Sequence, residues 1–267
     1  MGTKYGKKYN YNLDIFYNED DVSYYLLGVI MTDGCVKSKL NAITLSSNDL
    51  DWIQSIKNII CPDIKLTQNK KSYQFGIYSK ELKEWLVSKG CVPRKSLTLQ
   101  FPKLPEKYLP DFIRGCIDGD GSFGIYKNIC RSKLCGSSLD FLTTYSEVLS
   151  AHDIKNYLFR ACSRGSTSII NGKLLTRTSD HWRVDTAQKS TKKFISWIYY
   201  PNHKISMPRK KAISKTIIDF VPNPIGRKPN IVKRALAKEL RNSGITLKEI
   251  AKQLKTSVSC VHGWTSS

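Results

Sequence analysis

The chain has 267 residues and is strongly basic: 43 lysines and arginines stand against 22 aspartates and glutamates, for a formal net charge of +21. This charge indicates a polyanionic ligand. No apolar run approaches the ~18 residues that a membrane-spanning helix needs, so we expect no membrane partner and favour nucleic acid. The eight cysteines have no regular spacing and no secretion signal precedes them. We therefore expect a reduced, intracellular protein, in a bacterial or phage-infected cytoplasm or in an organelle.

In chain order, a polar lead-in over residues 1–20 comes before the first strongly apolar segment, Tyr25 to Gly34 (YLLGVIMTDG). This segment predicts a helix that ends at an Asp-Gly pair, with the glycine in a left-handed cap. Two strands, a helix, two strands and a helix are then predicted, over Cys35–Lys39, Ala42–Ser46, Asn48–Ile60, Ile64–Gln68, Tyr73–Tyr78 and Ser79–Lys89.

A second copy of the apolar segment, DFIRGCIDGDG, ends at Gly121. Asp33 matches Asp120 and Gly34 matches Gly121, an offset of 87 residues (120 − 33). The following segments are predicted in similar order, with strands and helices over Ser122–Ile129, Leu139–Thr143, Tyr145–Phe159, Ser168–Ile170, Leu174–Thr178, Trp182–Asp185 and Thr186–Tyr199.

A second pair of matching segments shows how much longer the second copy is. VPRKS at 92–96 matches MPRKK at 207–211, an offset of 115, so the second copy holds 28 additional residues (115 − 87). We place these residues in loops around Cys130–Ser138 and Ser163–Asp180.

Small residues predict how the two motif helices pack. Gly28 and Thr32 share one helix face, as do Gly115 and Gly119, and small residues four apart let two backbones approach closely. If the helices run in parallel, the two Asp-Gly aspartates emerge together, at the negative ends of both helix dipoles, where carboxylates repel each other. Such a pair suits hard divalent cations. The alternative is two buried helices that happen to end in Asp-Gly turns.

At LLGVIMTDG and IRGCIDGDG the chain resembles the LAGLIDADG homing endonucleases, in their single-chain form with two motifs. The resemblance implies an α+β fold of two pseudo-twofold αββαββα repeats, packed through the paired motif helices, with saddle-shaped antiparallel sheets over the DNA. The family's metal-binding acid is the eighth motif position, here Asp33 and Asp120. The sixth position, which is not the catalytic acid, is Met31 in one copy and Asp118 in the other.

The resemblance also implies further site residues. The family places a lysine or glutamine near each scissile phosphate, and Lys95 and Lys210 occupy that place after the last helix of each half. Backbone carbonyls of Gly34 and Gly121, or of Thr32 and Gly119 just before the acids, are expected to complete the metal shell. Mg²⁺ is the expected cofactor, Mn²⁺ is expected to substitute for it, and Ca²⁺ is expected to bind without supporting cleavage.

Outward positions on the predicted strands and turns are polar and basic, as a surface that reads base edges and grips phosphates requires. For any one residue the alternative is an ordinary solvated sheet face. The candidate DNA contacts of the two halves are Lys37, Lys39, Thr44, Ser46, Lys65, Thr67, Lys70, Lys71, Gln74, Tyr126, Lys127, Arg131, Arg177 and Arg183.

The predicted domains are an N-terminal half (1–104), a C-terminal half (105–221), a proline-rich linker (222–229) and a C-terminal module (230–267). The sequence GITLKEIAKQLKTSVSCVHGW resembles a helix-turn-helix with a capping box at Thr246. A protein-binding helical hairpin is the alternative. Candidate DNA contacts in the linker and in the recognition helix are Arg227, Lys228, Ser257, Ser259 and His262.

The function predicted from these features is site-specific cleavage of double-stranded DNA by a monomeric, intron-encoded homing endonuclease. A DNA-binding transcriptional regulator of the same fold is one alternative, disfavoured because both motif acids are present. An RNA maturase is the other, and it would add the chain's own intron RNA as a partner.

Overall fold

The structure is a computed structural model that describes residues 9–170, 172–221 and 231–266. Two compact units divide the chain, Met1–Phe220 and Val221–Ser267. The predicted linker, with Arg227 and Lys228, lies outside the described residues. Within the described ranges, no helix has the length and apolar character needed to cross a bilayer.

The first half of the larger unit packs helices on one antiparallel sheet with the strand order β1-β2-β4-β3. Its elements are α1 (Asp14–Tyr17), α2 (Asp21–Thr32), β1 (Gly34–Val36), β2 (Ala42–Ser47), α3 (Leu50–Ile60), β3 (Thr67–Asn69), β4 (Ser72–Tyr78) and α4 (Lys80–Ser88). A short 3-10 helix, Lys95–Leu97, follows.

The second half repeats this arrangement with the strand order β5-β6-β10-β7, and two further strands form a separate ribbon. Its elements are α5 (Leu109–Gly119), β5 (Ser122–Tyr126), β6 (Ile129–Gly136), α6 (Leu139–Ala151), β7 (Asn156–Cys162), β8 (Thr167–Ile170), β9 (Lys173–Thr176), β10 (His181–Thr186), α7 (Gln188–Ile198) and α8 (Pro208–Asp219). The predicted α+β class, with two repeats joined through their motif helices, is confirmed.

Two predicted elements of the second half are wrong. The predicted strand Leu139–Thr143 is the start of α6, where the Ser138 side chain caps the helix by accepting from the backbone N–H of Phe141 at 3.3 Å. The predicted helix Tyr145–Phe159 ends at Ala151, and Phe159 lies in β7. Helix α8 was not predicted at all; proline in its first turn is favourable because no N–H is needed there.

One unmarked turn explains why both elements were predicted wrongly. A tight turn at Lys127 and Asn128 divides the predicted strand Ser122–Ile129 into β5 and the start of β6, and both turn residues have positive φ (46° and 66°). Turns of this kind are usually marked by glycine, which is absent here. The hairpin therefore shifted the later assignments along the chain.

Helices α2 and α5 pack at backbone contact through their motif glycines. A Cβ atom added to Gly28 would lie 2.2 Å from the Phe112 carbonyl oxygen, and one added to Gly115 would lie 2.2 Å from the Tyr25 carbonyl oxygen. The close approach predicted from these glycines is confirmed. The predicted left-handed cap is wrong, since Gly34 does not have a positive φ. Glycine is needed there for space, because an added Cβ would lie 2.5 Å from the Ile30 carbonyl oxygen.

Three helices lie in the described part of the smaller unit: α9 (Ile231–Asn242), α10 (Leu247–Gln253) and α11 (Val258–Thr265). The predicted capping box is present, with Thr246 and Glu249 bonding each other's backbone N–H groups at the start of α10. Gly244, with φ of 84°, follows α9. The core of this unit consists of Ala237, Ile250, Ala251, Leu254 and Val261.

Candidate metal and nucleic-acid site

The two motif acids follow the carboxyl ends of the paired helices. Asp33 follows α2 and Asp120 follows α5, with nearly equal backbone angles (φ −82°, ψ −12° and φ −86°, ψ −10°). A Cβ atom added to Gly119 would lie 3.5 Å from the carboxyl carbon of Asp33. The Asp33 carboxylate, which follows α2, therefore lies beside Gly119, the last residue of α5, and so next to Asp120.

The two carboxylates sit in an electronegative site. Burial, and then the charge of Asp120, raise the pKa of Asp33 to about 7. Desolvation also raises the pKa of Asp120, although Lys95 and Lys210 oppose the rise. The carboxylate charges add to the negative ends of two helix dipoles. This donor set fits a divalent cation, whose charge would offset theirs.

Other acidic, histidine or cysteine side chains do not complete the shell. In the part of the chain that the structure describes, no group of three or more of these side chains could hold a metal ion. A cation between Asp33 and Asp120 would take its other ligands from backbone carbonyls, water or a bound phosphate.

The two candidate lysines lie at equivalent places beside the acids. The ammonium group of Lys95 donates to the Gly34 carbonyl, and that of Lys210 donates to the Gly121 carbonyl at 2.7 Å. The same ammonium group also lies within hydrogen-bonding distance of the carbonyl oxygens of Ile117, Asp118 (2.7 Å) and Gly119 (3.3 Å). Burial lowers the pKa of Lys210 to about 8. Both lysines therefore place positive charge against the negative ends of the motif helices.

Thr32 and Gly119, the other candidate ligand residues, pack against each other. The Thr32 hydroxyl contacts the carbonyl oxygens of Gly28 (2.9 Å) and Val29 (3.1 Å). Its hydroxyl hydrogen is thus used inside α2. A Cβ atom added to Gly119 would lie 2.1 Å from that hydroxyl oxygen, so the absent side chain lets the helix ends meet.

Asp118, at the sixth motif position, is fully buried, and its carboxylate accepts three hydrogen bonds. Its carboxylate accepts from the hydroxyls of Tyr25 (2.8 Å) and Tyr199 (2.5 Å) and from the backbone N–H of Met207 (2.8 Å). Tyr25 in turn accepts from the Trp52 indole at 2.8 Å. This network joins α2 and α3 of the first half to α5 and the chain before α8 of the second.

His181 is a site residue that the sequence analysis missed. It lines a cleft of about 390 Å³ together with Asp120 and Lys95. Desolvation and Arg177 lower its pKa, while Asp120 opposes the shift. A lone histidine at the start of a short strand carries no sequence signal; only the fold brings it beside the acid.

In the first half, the predicted contacts Thr44, Ser46, Gln74 and Thr67 fall on one sheet face. Strand pairing sets Ser46 opposite Gln74 and Gln74 opposite Thr67, while the alternate residues of β2 and β4, such as Leu45, are buried. The remaining predicted lysines of this half are exposed at the strand ends and turns: Lys37, Lys39, Lys65, Lys70 and Lys71.

In the second half, the outer face of the sheet carries Arg131, Arg183 and the half-exposed Tyr126. Arg183 forms an ion pair with Asp185 at 2.7 Å and lies over the Phe159 ring. The structure adds exposed Lys133, which strand pairing sets opposite Asp185. Lys127 lies in the β5–β6 turn, and Arg177 lies outside this sheet, after β9.

The three candidate contacts of the smaller unit are exposed at or in α11. The Ser257 hydroxyl oxygen caps the helix by accepting from the backbone N–H of Cys260 at 3.3 Å. It also lies 3.0 Å from the hydroxyl oxygen of Ser259. His262 lies in the middle of the helix. Ser257 therefore has a structural role whether or not the helix binds DNA.

Comparison with known proteins identifies the fold. No protein-family model and no curated protein matches the chain. Among solved structures, mesophilic variants of the homing endonuclease I-DmoI match 72% of this chain and 97% of that chain, with a TM-score of 0.51 and 17% identity. I-DmoI in complex with DNA and Ca matches 72% of this chain and 95% of that chain, with a TM-score of 0.51 and 15% identity. The chain has the LAGLIDADG fold.

A weaker likeness spans more of the chain. Full-length DUF199/WhiA from Thermatoga maritima matches 92% of this chain and 89% of that chain, with a TM-score of 0.45 and 15% identity.

Proposed function

We propose that this protein is a metal-dependent endonuclease that hydrolyses both strands of duplex DNA at a long, specific site, as a monomeric homing endonuclease encoded within an intron. The observation that carries the proposal is the pairing of Asp33 and Asp120 at the shared end of α2 and α5. Two carboxylates there destabilise the helix ends. A role in holding cations accounts for them, and I-DmoI, which shares the fold, has been solved with DNA and Ca.

In the proposed mechanism, Asp33 and Asp120 are the side chains that would hold Mg²⁺ or Mn²⁺. Such a cation lowers the pKa of the attacking water and stabilises the negative charge that develops on the phosphate. The water oxygen bonds to phosphorus as the bond to the leaving oxygen breaks; the water gives up one proton to solvent, and the leaving oxygen takes one proton from solvent. Lys95 and Lys210, whose ammonium groups already lie beside the acids, offset the phosphate charge.

The outer faces of the two four-stranded sheets supply the surface for the duplex. Polar residues of β2 and β4 in the first half and basic residues of β6 and β10 in the second face outward. Lysine and arginine grip phosphates, while Gln, Thr and Ser read base edges. The net charge of +21 supports a polyanionic substrate.

Selection from a duplex library tests the proposal. The chain is incubated with random plasmid DNA in Mg²⁺, and the cut ends are sequenced. A single long consensus flanking both cuts is expected, with Mn²⁺ replacing Mg²⁺ and with binding but little or no cutting in Ca²⁺. Robust cutting in EDTA would contradict the metal assignment. Tight, specific binding without any cutting in Mg²⁺ or Mn²⁺ would show a DNA-binding regulator instead.

We also propose that the smaller unit is a second DNA-binding module, with α11 as its recognition helix. Its exposed residues include Lys252, Lys255 and His262. Truncation after Pro222 should leave the larger unit folded, because its core lies entirely before that residue. It should weaken DNA binding by about a hundredfold, since a tethered second contact has a high effective concentration, and shorten the footprint on one side. Unchanged affinity and footprint would favour a protein-binding hairpin.

A further inference from the structure

The tripeptide Pro-Arg-Lys occurs in both halves and ends at the two candidate lysines, Lys95 and Lys210. In the first half Arg94 has a left-handed backbone (φ 60°), and only a 3-10 helix of 3 residues follows it. In the second half the tripeptide forms the first turn of α8, a helix of 12 residues. Because the tripeptide is the same, contacts made elsewhere in the fold decide the difference.

One such contact is made by the Asp118 carboxylate. Its Oδ2 atom accepts from the backbone N–H of Met207 at 2.8 Å, and Met207 is the residue immediately before α8. The carboxylate therefore lies at the positive end of this helix, where a negative charge is stabilising. The first half has Met31 at the equivalent motif position, and a thioether cannot replace a carboxylate as an acceptor.

The carboxylate is itself held from several directions. It accepts from the Tyr25 hydroxyl at 2.8 Å and from the Tyr199 hydroxyl at 2.5 Å, and the Trp52 indole donates to the Tyr25 oxygen at 2.8 Å. All four side chains are buried. Since these partners come from α2, α3 and the residue after α7, the oxygen that binds the start of α8 has little freedom to move.

Fixing the start of α8 fixes Lys210, which lies in its first turn. The Lys210 ammonium group lies 2.7 Å from the carbonyl oxygens of both Asp118 and Gly121. A helix that began one residue earlier or later would turn this side chain by about 100° around the axis. Asp118 thus contacts the segment twice, at Met207 through its carboxylate and at Lys210 through its backbone carbonyl.

An ion pair beside Lys210 is a second anchor of the same segment. Arg209 donates to both carboxylate oxygens of Asp49, each at 3.0 Å. The two side chains are 57% and 26% exposed, and ion pairs that solvent and salt reach contribute little. Asp118 is fully buried, so its hydrogen bond is the stronger of the two anchors.

We propose that Asp118 is a positioning residue for the reaction: through the Met207 N–H it holds Lys210 beside the paired acids, and so it governs cleavage of the one DNA strand that this half-site serves. The inference rests on the proposed function and adds a role for the sixth motif position in a single half-site. Lys95, which has no such carboxylate behind it, serves the other strand.

The test follows single-turnover cleavage in Mg²⁺ of the duplex recovered by wild-type selection, with the two strands labelled separately. Asp118→Met introduces the residue that the first half has at this position. Asp118→Asn keeps an amide oxygen that can accept from the Met207 N–H. The matched control is Asp111→Asn, seven residues earlier on the same face of α5. Asp111 is also buried and accepts from Arg114 and Tyr200, neither of which belongs to α8.

We expect Asp118→Met to slow cleavage of one strand by about tenfold to a hundredfold, because a small displacement of a group at the reacting centre has effects of this size. Cleavage of the other strand should stay within about twofold of wild type, so nicked duplex should accumulate. Affinity in Ca²⁺ should be unchanged. Asp118→Asn should restore most of the lost rate, and Asp111→Asn should leave the ratio of the two strand rates as in wild type.

Two further measurements show whether the effect passes through Lys210. In a Lys210→Met background, Asp118→Met should cause no further loss in the affected strand, since the group through which it acts is already removed. Amide hydrogen exchange at Met207 should be faster in Asp118→Met than in wild type and unchanged in Asp111→Asn. If Asp118→Met alone does not fold, Tyr25→Phe and Tyr199→Phe are added to remove the hydroxyls left unpaired.

Equal slowing of both strands by Asp118→Met would assign Asp118 a purely structural role and overturn the inference. Unchanged rates for both strands, or a loss that adds to that of Lys210→Met, would overturn it as well. If the wild-type chain cuts neither strand of any duplex, the proposed function itself fails. Hydrogen exchange needs no cleavage, so an unchanged rate at Met207 would overturn the positioning role separately.

Discussion

The two halves share a strand order but hold their motif acids in different surroundings. In the first half, Lys95 is partly exposed and donates to the Gly34 carbonyl. In the second, Lys210 is buried, and its ammonium group lies within hydrogen-bonding distance of four carbonyl oxygens at and just after the end of α5. Met31 occupies the sixth motif position of the first half, where the second has Asp118.

Asp118 explains part of this difference. It accepts from the backbone N–H of Met207, the residue that precedes α8, and Lys210 lies in the first turn of that helix. A buried carboxylate thus fixes the segment that presents Lys210, whereas Met31 can accept no such bond. A symmetric fold can therefore carry one half-site whose lysine is held rigidly and one whose lysine is held by fewer contacts.

The largest effect should follow a change that separates the two halves. Gly115→Leu places a side chain where even a Cβ atom would lie 2.2 Å from the Tyr25 carbonyl oxygen, so we expect a loss of several kcal/mol, at or above the ~1–3 kcal/mol typical of overpacking. Urea denaturation measures it. The control is Gly136→Ala, whose added Cβ would lie 3.7 Å from Leu142. Equal stability of Gly115→Leu and wild type would show that the helices do not meet at these glycines.

Replacing the two lysines in turn sharpens the comparison. Lys210→Met should cost about 1–3 kcal/mol, because it leaves carbonyls at the end of α5 without their donor in a buried setting. Lys95→Met should cost less than about 1 kcal/mol, since Lys95 is partly exposed and donates to fewer carbonyls. Denaturation at pH 7 without metal distinguishes them. Equal losses for the two variants would mean that the half-sites are equivalent.

A smaller, pH-dependent effect should follow removal of one acid. Because the pKa of Asp33 is raised from 3.8 to about 7 in the folded protein, the contribution of Asp33 to the stability of the metal-free wild type should fall as pH rises from about 4 to about 7 and stay constant above that. Asp33→Asn should escape this loss. At pH 8 it should be more stable by about 1–2 kcal/mol, less than the full shift implies because solvent reaches the site.

Thermal and urea unfolding of both proteins between pH 4 and pH 8 measures this difference. Asp153→Asn, at an exposed position, is the control and should follow the wild type. A difference between Asp33→Asn and wild type that did not grow with pH would show that the pKa of Asp33 is not raised in the folded protein.

The sequence predicted the central features because they depend on local pattern and internal repetition. The duplicated motif specified α2, α5 and the acids, and the matched VPRKS and MPRKK segments pointed to Lys95 and Lys210. The glycines predicted backbone contact between the helices, and the 2.2 Å from an added Cβ atom at Gly28 or Gly115 to the facing carbonyl oxygen agrees with this.

What the sequence did not predict depends on contacts between distant segments or on unmarked turns. The Lys127-Asn128 turn lacks the glycine that usually signals positive φ, so β6 was placed wrongly and Lys133 was missed. Only the pairing of β10 within its sheet brings His181 close to Asp120. The carbonyl groups to which Lys95 and Lys210 donate depend on how the 3-10 helix at Lys95 and helix α8 pack.

The central claim is that Asp33 and Asp120 hold the metal that cuts DNA, and the most direct measurement is cleavage of the selected duplex by Asp120→Asn in Mg²⁺, with Asp153→Asn as control. The account predicts that cleavage of both strands falls by about a thousandfold or more, while affinity in Ca²⁺-free buffer is equal or higher because a carboxylate near phosphate is lost. Cutting of both strands at the wild-type rate would contradict it.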